Sequence, residues 1–305
     1  MEKKKCGMKV FLSSGSAIRL GLLAQKTHVL PQTIYMMTNE KCDSACAFCP
    51  QSLSKEKLSR VTWHPFELEE VVPALEDVER VCIQATSHPH VYEELISILS
   101  SLPPVKISLS ITPMTKAQMR NLSRWADRVS INLDCATERL FSEIKRGCLW
   151  QEVWQSLVDA VVIFGEYRVY SHLIVGLGET EEEMATCMQN LYDKGMLPSL
   201  FAFTPLKHTT LEKREKPPIA TYRRMQMARY LIANNLARAE GMRFSEGKLI
   251  DYGMDVTRIR ENPAIYVTTG CPNCDRPYYT ETVRQPYNFP REPTEEEMRR
   301  ILNEF

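Results

Sequence analysis

The chain has no excess of charge in either direction: 38 Lys and Arg stand against 38 Asp and Glu in 305 residues. A protein without a net field has no long-range draw toward nucleic acid or an anionic membrane, and neither is expected as a partner. No run of 18 apolar residues is present, which argues against a membrane-spanning helix. The charged start, Glu2 to Lys5, leads into an apolar stretch broken by Arg19 and without a cleavage-like site, so no secretory leader is expected. Internal repeats and low-complexity tracts are also missing, which excludes solenoids and compositionally disordered segments. A reducing cytoplasm is the expected compartment, where the ten cysteines read as ligands or buried thiols rather than disulfides. Hydrophobic content of 44% and charged content of 25% are ordinary for a globular chain long enough to bury a large core.

Strand-like and helical runs alternate along most of this length. Candidate strands lie at Thr33–Thr38, Arg80–Ala85, Val105–Ser110, Arg128–Leu133, Tyr167–Val175 and Ser199–Thr204. Helices are predicted at about Pro65–Leu75, Val91–Leu99, Lys116–Ala126, Thr137–Lys145, Trp150–Phe164 and Glu181–Lys194. Thr115 with Gln118 and Thr180 with Glu183 form capping boxes, and Gly195 closes the second of those helices. Such alternation argues for parallel βαβ units. The fold class is therefore α/β, a full or partial (β/α) TIM-type barrel, with functional residues on the C-terminal strand ends and the loops beyond them. Residues 1–32 read as an N-terminal extension with a helix over about Ser16–Ala24, residues 33–240 as the barrel core, and residues 241–305 as a cysteine-bearing segment docked on it. After a long helix at about Ile219–Glu240, a possible β-pair (Arg243–Tyr252) and a last helix, capped by Thr294 with Glu297 and ending near Leu302, complete the chain.

The strongest local feature is the C-x3-C-x2-C run of Cys42, Cys46 and Cys49, just after the first barrel strand, with Phe48 before its last cysteine. Three thiolates on one loop can hold three irons of a cubane cluster and leave the fourth open. Half a zinc site is the alternative, but zinc sites usually pair C-x2-C units with a second Cys or His pair. A second cysteine pair, Cys271 and Cys274 in C-P-N-C, fits either a zinc half-site or an auxiliary iron–sulfur cluster. Each needs a further ligand: Cys82, at an inward strand position, is favoured, and Cys6 is the runner-up.

Polar residues mark other candidate positions. Asn132 and Asp134 sit two apart at a strand end and share one face; the competing reading makes Asp134 the cap of the helix near Thr137. Cys82 and Gln84 share a face of the second strand. The turn at Val175, Gly176 and Gly178 lets backbone approach a ligand or simply closes a βα connection. Lys207, Lys213, Arg214, Lys216, Arg223 and Arg224 read as a solvated basic face, or as a landing place for an acidic carrier protein.

The cysteine loop resembles that of the radical S-adenosylmethionine superfamily. The resemblance implies a [4Fe–4S] cluster on Cys42, Cys46 and Cys49 whose open iron is chelated by the amino and carboxylate groups of S-adenosylmethionine, which is then cleaved to a 5′-deoxyadenosyl radical. Within that likeness Val175, Gly176 and Gly178 resemble the adenine-contacting element, and Asn132 with Asp134 resembles the Asn-x-Asp that holds the ribose in biotin synthase. A Gly-Gly-Glu that commonly holds the methionyl amine is replaced by Ala85 to Pro89, leaving Gln84, Ser87 and His88 as candidates.

Further blocks (Gly15 to Gly21, Tyr35 to Thr38, Cys42 to Gln51, Leu58 to Trp63, Val81 to Gln84, Phe201 to Pro205 and Gly270 to Tyr279) resemble the two-subunit lipoyl synthases of the biotin/lipoyl synthase branch. The N-terminal C-x4-C-x5-C and the terminal Arg-Ser-Ser-Tyr of the single-chain lipoyl synthases do not occur. An auxiliary cluster would then be built around Cys271 and Cys274. The implied reaction is sulfur insertion into an octanoyl-lysine of a lipoyl carrier protein, with a partner subunit and a ferredoxin-type reductant. Biotin synthase-like chemistry on another substrate and a non-catalytic cluster carrier are the alternatives.

Overall fold

The computed structural model describes residues 7–280, 282 and 284–304. Cys6 lies outside them. In chain order the strands are β1 (Lys9–Ser13), β2 (Ile34–Met37), β3 (Lys57–Leu58), β4 (Val61–Glu67), β5 (Arg80–Gln84), β6 (Lys106–Ile111), β7 (Arg128–Ile131), β8 (Val169–Val175), β9 (Met196–Ala202), β10 (Arg243–Ser245) and β11 (Lys248–Asp251). The helices are α1 (Ser14–Arg19), α2 (Leu68–Val71), α3 (Val91–Ser101), α4 (Lys116–Leu122), α5 (Glu138–Ile144), α6 (Trp150–Phe164), α7 (Glu181–Asp193), α8 (Ile219–Ala233) and α9 (Glu295–Leu302).

Nine strands form one sheet in the order β3-β4-β1-β2-β5-β6-β7-β8-β9. From β2 to β9 every neighbouring pair is parallel. This is the α/β partial barrel expected from the alternation. Its strands are rich in buried aliphatic residues such as Ile34, Val81, Ile83, Leu109, Val129, Ile131, Val169 and Leu173, because a parallel sheet with covering helices buries both faces. All three expected capping boxes form, at Thr115, Thr180 and Thr294.

Local differences have identifiable causes. The extension contributes a strand: β1 pairs antiparallel with both β2 and β4. The helix expected at Ser16–Ala24 is α1 instead, capped by the Ser13 hydroxyl and closed at Gly21, whose φ is +72°. Pro65 does not open a helix. It lies in β4 opposite Phe11, and the helical turn starts only after Glu67, whose side chain forms a capping box with Glu70. The long helix stops at Ala233 because Asn235 adopts a left-handed φ of +54° and turns the chain back, Leu236 N–H donating to the Leu231 carbonyl.

The free edge of β9 is covered by the C-terminal segment. Leu200 N–H donates to Thr269 Oγ1, and Asn288 Nδ2 donates to the Leu200 carbonyl. Such pairing blunts an edge that would otherwise present open backbone groups. Arg223, expected on a solvated basic face, is buried instead: it donates to Glu304, Gln226 and the carbonyls of Pro286 and Tyr287. Arg224 is likewise held by Glu181, so α8 is a structural clamp; Lys207, Lys213, Arg214 and Lys216 are exposed.

Candidate active site

The loop carrying Cys42, Cys46 and Cys49 leaves the C-terminal end of β2 and is pinned along its length. Thr38 N–H donates to the Gln84 carbonyl, Asp43 N–H to Ser87, Ala47 N–H to Ile144, and Leu211 N–H to Ala47. Asn39 N–H donates to Glu94 Oε1 at 2.6 Å, and the other oxygen of that carboxylate lies 3.0 Å from His88 Nε2. The three thiols are free and half-buried. Burial pushes the Cys46 thiol up to about 11 and the Cys49 thiol up to about 12. Both are therefore protonated until a metal displaces the proton.

Beside Cys46 stands a buried ion pair, Lys145 Nζ to Asp134 Oδ2 at 2.8 Å; the same ammonium donates to the Asn132 carbonyl at 2.6 Å. Burial works against the charge, but Asp134 and Cys46 hold Lys145 above its ordinary range. Asp134 does not cap the following helix; Thr137 does, accepting from Leu140 N–H. Asn132 Nδ2 donates to Ser110, and Asn132 Oδ1 accepts from His172 N–H. Both side chains are thus fixed at the wall of the lumen.

The second pair, Cys271 and Cys274, lies at the opposite end. Thr33 Oγ1 donates to the Asn273 carbonyl, Gln32 N–H to Asp275 Oδ2, and Asn273 Nδ2 to Glu79 Oε2. These anchors precede β2 and β5, so the knuckle sits at the N-terminal end of the parallel strands. The Tyr35 hydroxyl donates to Asp275 Oδ1 at 2.9 Å and accepts from the backbone N–H groups of Asp275 and Arg276. A Cβ at position 270 would lie 2.9 Å from Cys274 Sγ, so Gly270 gives that sulfur its room. Cys82 joins the pair: with Cys274 it packs on the cluster of Phe11, Tyr35, Trp63 and Tyr279, and burial followed by the neighbouring Cys271 and Cys274 pushes its thiol well up. Burial likewise lifts Cys271 to about 11.

One cavity of about 250 Å³ touches both sets: Cys46 and Cys49 from the loop, and Cys82, Cys271 and Cys274 from the other end. Phe48, Gln84, Asn132, Asp134, His172 and Phe201 also line it. Gln84 Nε2 donates to Cys82 Sγ at 3.0 Å. Cys42 is on the same loop but not on the cavity wall. Among the described residues, no three Cys, His, Asp or Glu side chains converge as the ligands of one metal ion would. Cluster thiolates reach separate irons and need no such convergence, whereas a closed zinc site does. Clustered thiols are the donor type that the irons of an iron–sulfur cluster take.

Val175, Gly176 and Gly178 are not on the cavity wall, although Ile174 is. Gly176 N–H and Leu177 N–H both donate to Glu179, at 2.6 and 2.9 Å, and a Cβ at position 176 would meet Pro217 at 2.9 Å. The close approach that this glycine permits is to the chain itself. Of the three candidates for the methionyl amine, only Gln84 lines the cavity; His88 faces Glu94, and the Ser87 carbonyl holds the cysteine loop. Sequence reasoning missed Lys145, His172 and Arg276. The first lies eleven positions after Asp134, a separation at which no local pattern links two residues.

A half-barrel of six parallel strands with cysteines at its C-terminal mouth defines a class, and comparison with known proteins agrees. The model described as Radical SAM superfamily matches residues 36–191, half of the chain, and the chain belongs to that superfamily. Among curated relatives, the lipoyl synthase of Haemophilus influenzae is 27% identical over 200 residues, covering 60% of this chain and 61% of that protein. The lipoyl synthase of Pasteurella multocida is 28% identical over 199 residues, with the same coverage. The match thus spans about three fifths of the length of these relatives.

Solved structures share the fold at low identity. Methylornithine synthase matches with a TM-score of 0.51 and 12% identity over 80% of this chain and 81% of its own. The FeFe-hydrogenase maturase HydG from Carboxydothermus hydrogenoformans gives 0.53 at 15% identity, covering 67% and 52%. Streptococcus suis SuiB, solved with S-adenosylmethionine bound, gives 0.53 at 12%, covering 71% and 54%. No helix among the described residues is long and apolar enough to cross a membrane.

Proposed function

We propose that this chain inserts sulfur into an unactivated carbon of an acyl chain, with lipoyl synthase-like activity on an octanoyl-lysine of a carrier protein. The observation that carries the reading is the placement of two cysteine sets at opposite ends of one cavity with largely apolar walls. Cys42, Cys46 and Cys49 would hold a [4Fe–4S] cluster, and Cys82, Cys271 and Cys274 an auxiliary one. When bound, the first supplies the electron that splits S-adenosylmethionine and the second supplies sulfide.

The residues of the chain position and exclude. Phe48, Ile174, Phe201 and Phe203 wall the cavity against water, which a reactive carbon centre requires. Asn132 and Asp134, on the same cavity wall, would offer acceptors to the ribose hydroxyls of S-adenosylmethionine. Lys145 supplies a fixed positive charge next to Cys46, which offsets the negative charge of a thiolate-bound cluster. The cofactors carry the chemistry, and the protein contributes geometry and dryness. A partner subunit and a ferredoxin-type reductant in the cytoplasm belong to the same reading.

A Cys271→Ala/Cys274→Ala variant tests it. Incubated anaerobically with an octanoylated substrate, this variant should still form 5′-deoxyadenosine but yield no thiolated product, and iron and sulfide per chain should fall. Full sulfur insertion by the variant, or zinc in the purified knuckle, would reject the donor role. Biotin synthase-like chemistry on a different substrate keeps every residue role and changes only what fills the cavity.

A further inference from the structure

The cavity wall between the two cysteine sets contains polar groups that neither cluster explains. Ser199 is fully buried on β9, and its Oγ has no hydrogen-bond partner among the described residues. Arg276 is 7% exposed and uses one terminal nitrogen on the Thr269 carbonyl, but its Nε has no such partner. No carboxylate pairs with it among the described residues, because the neighbouring Asp275 is taken by Gln32 and Tyr35. The guanidinium lies 3.8 Å from the centroid of Phe201, and the His172 ring lies 4.6 Å from the same centroid. His172 and Ser199 are register partners on β8 and β9. All four residues line the cavity.

A buried hydroxyl without a partner, and a buried guanidinium whose Nε has none among the described residues, are each costly. Charge on the second cysteine set could compensate Arg276 alone, since Cys82 feels its field. The His172 imidazole is held neutral, first by burial and then by the charges of Arg276 and Lys145, so it remains able to donate one hydrogen bond. Around Phe201 there is consequently a donor-rich patch on the cavity wall. This is the arrangement that orients a ligand by one acceptor atom.

We propose that Arg276, Ser199 and His172 form a subsite for an acyl carbonyl or carboxylate oxygen, fixing how far the aliphatic chain reaches between the two cysteine sets. The subsite rests on the acyl-substrate reading above and adds the group that is recognised. A long apolar chain alone would slide in such a cavity. One anchored oxygen sets which carbon lies within reach of each end.

Two probes separate the sources of that oxygen: a peptide bearing Nε-octanoyl-lysine and free octanoate. Each is titrated into the anaerobically reconstituted full chain with S-adenosylmethionine present, and the dissociation constant is read by calorimetry. Arg276→Gln should weaken binding roughly 10- to 100-fold and Ser199→Ala roughly 2- to 10-fold, as expected for losing a charged and a neutral hydrogen bond. Iron content equal to wild type certifies that each variant is folded. Tighter binding of the peptide identifies an amide carbonyl, and tighter binding of octanoate a carboxylate; either supports the subsite, and the second would remove the carrier protein from the functional reading. If both variants bind as wild type does, the subsite is wrong while the functional reading stands. A loss limited to Arg276→Gln and accompanied by lost iron also overturns the subsite, because Arg276 would then only be supporting the knuckle. If the wild type binds neither probe, the acyl reading itself fails.

Discussion

The two cysteine regions are built in opposite ways. Cys42, Cys46 and Cys49 fall within eight consecutive residues, and their loop hangs from one strand end with backbone bonds to nearby turns. Cys82, Cys271 and Cys274 come from a strand and from a segment almost 190 positions later, joined by Tyr35 and Asp275 across 240 positions. A site encoded in one short run keeps its donors together even when the surrounding fold is perturbed. A site assembled over long range exists only while the tertiary structure holds, so damage to each should appear in different measurements.

The sharpest way to break this comparison is to remove the local set. Replacing Cys42, Cys46 and Cys49 with Ala should abolish 5′-deoxyadenosine formation and leave only iron held by the knuckle. Circular dichroism should show little change, since the loop is held by backbone bonds to Gln84, Ser87 and Ile144 rather than by its thiols. Cleavage of S-adenosylmethionine that survives in this variant would sink the assignment.

Tyr35→Phe probes the long-range set without touching a cysteine. The lost hydroxyl donates to Asp275 and accepts from two backbone N–H groups. Leaving buried groups unsatisfied costs roughly 1–3 kcal/mol, a drop of a few degrees in Tm for a chain of this size. Iron at the knuckle should be lost preferentially, with the Cys42 loop still loaded. Loss of iron from both sets in parallel would erase the distinction between local and long-range construction.

The same contrast governs what could be read from the chain. The six parallel strands were legible because buried aliphatic runs alternate with capped helices, and Thr115, Thr180 and Thr294 announce three helix starts. The spacing of Cys42, Cys46 and Cys49 announces its own chemistry. β1 and β4 were not legible: Lys9–Ser13 is short, and Pro65 resembles a helix opener unless its partner Phe11 is known. Cys82 stands out in the sequence only through its inward strand position, since nothing local links it to Cys271. The pairing of Asp134 with Lys145, and the Glu179 carboxylate that closes the Gly176 turn, depend on side-chain directions that no periodicity encodes.

The smallest expected effect lies on the wall between the two sets and is a pH dependence. His172 titrates well below the ordinary imidazole range, because burial and then the charges of Arg276 and Lys145 disfavour its protonated form. In the unfolded chain it titrates near 6.5. A group whose folded value is depressed binds more protons unfolded than folded below that point, so stability rises with pH there and is lost on acidification. Between pH 7 and pH 5 the loss attributable to His172 is at most about 2 kcal/mol, the span of roughly 1.5 units below the unfolded value. His172→Phe keeps a ring against Phe201 and cannot be protonated, so its urea-unfolding free energy should fall less over this interval than that of the wild type. Parallel curves for the two proteins would show that His172 is protonated inside the folded cavity at pH 5. The wall between the cysteine sets would then be a wet, charge-tolerant channel, and an apolar acyl chain would be a poor occupant for it.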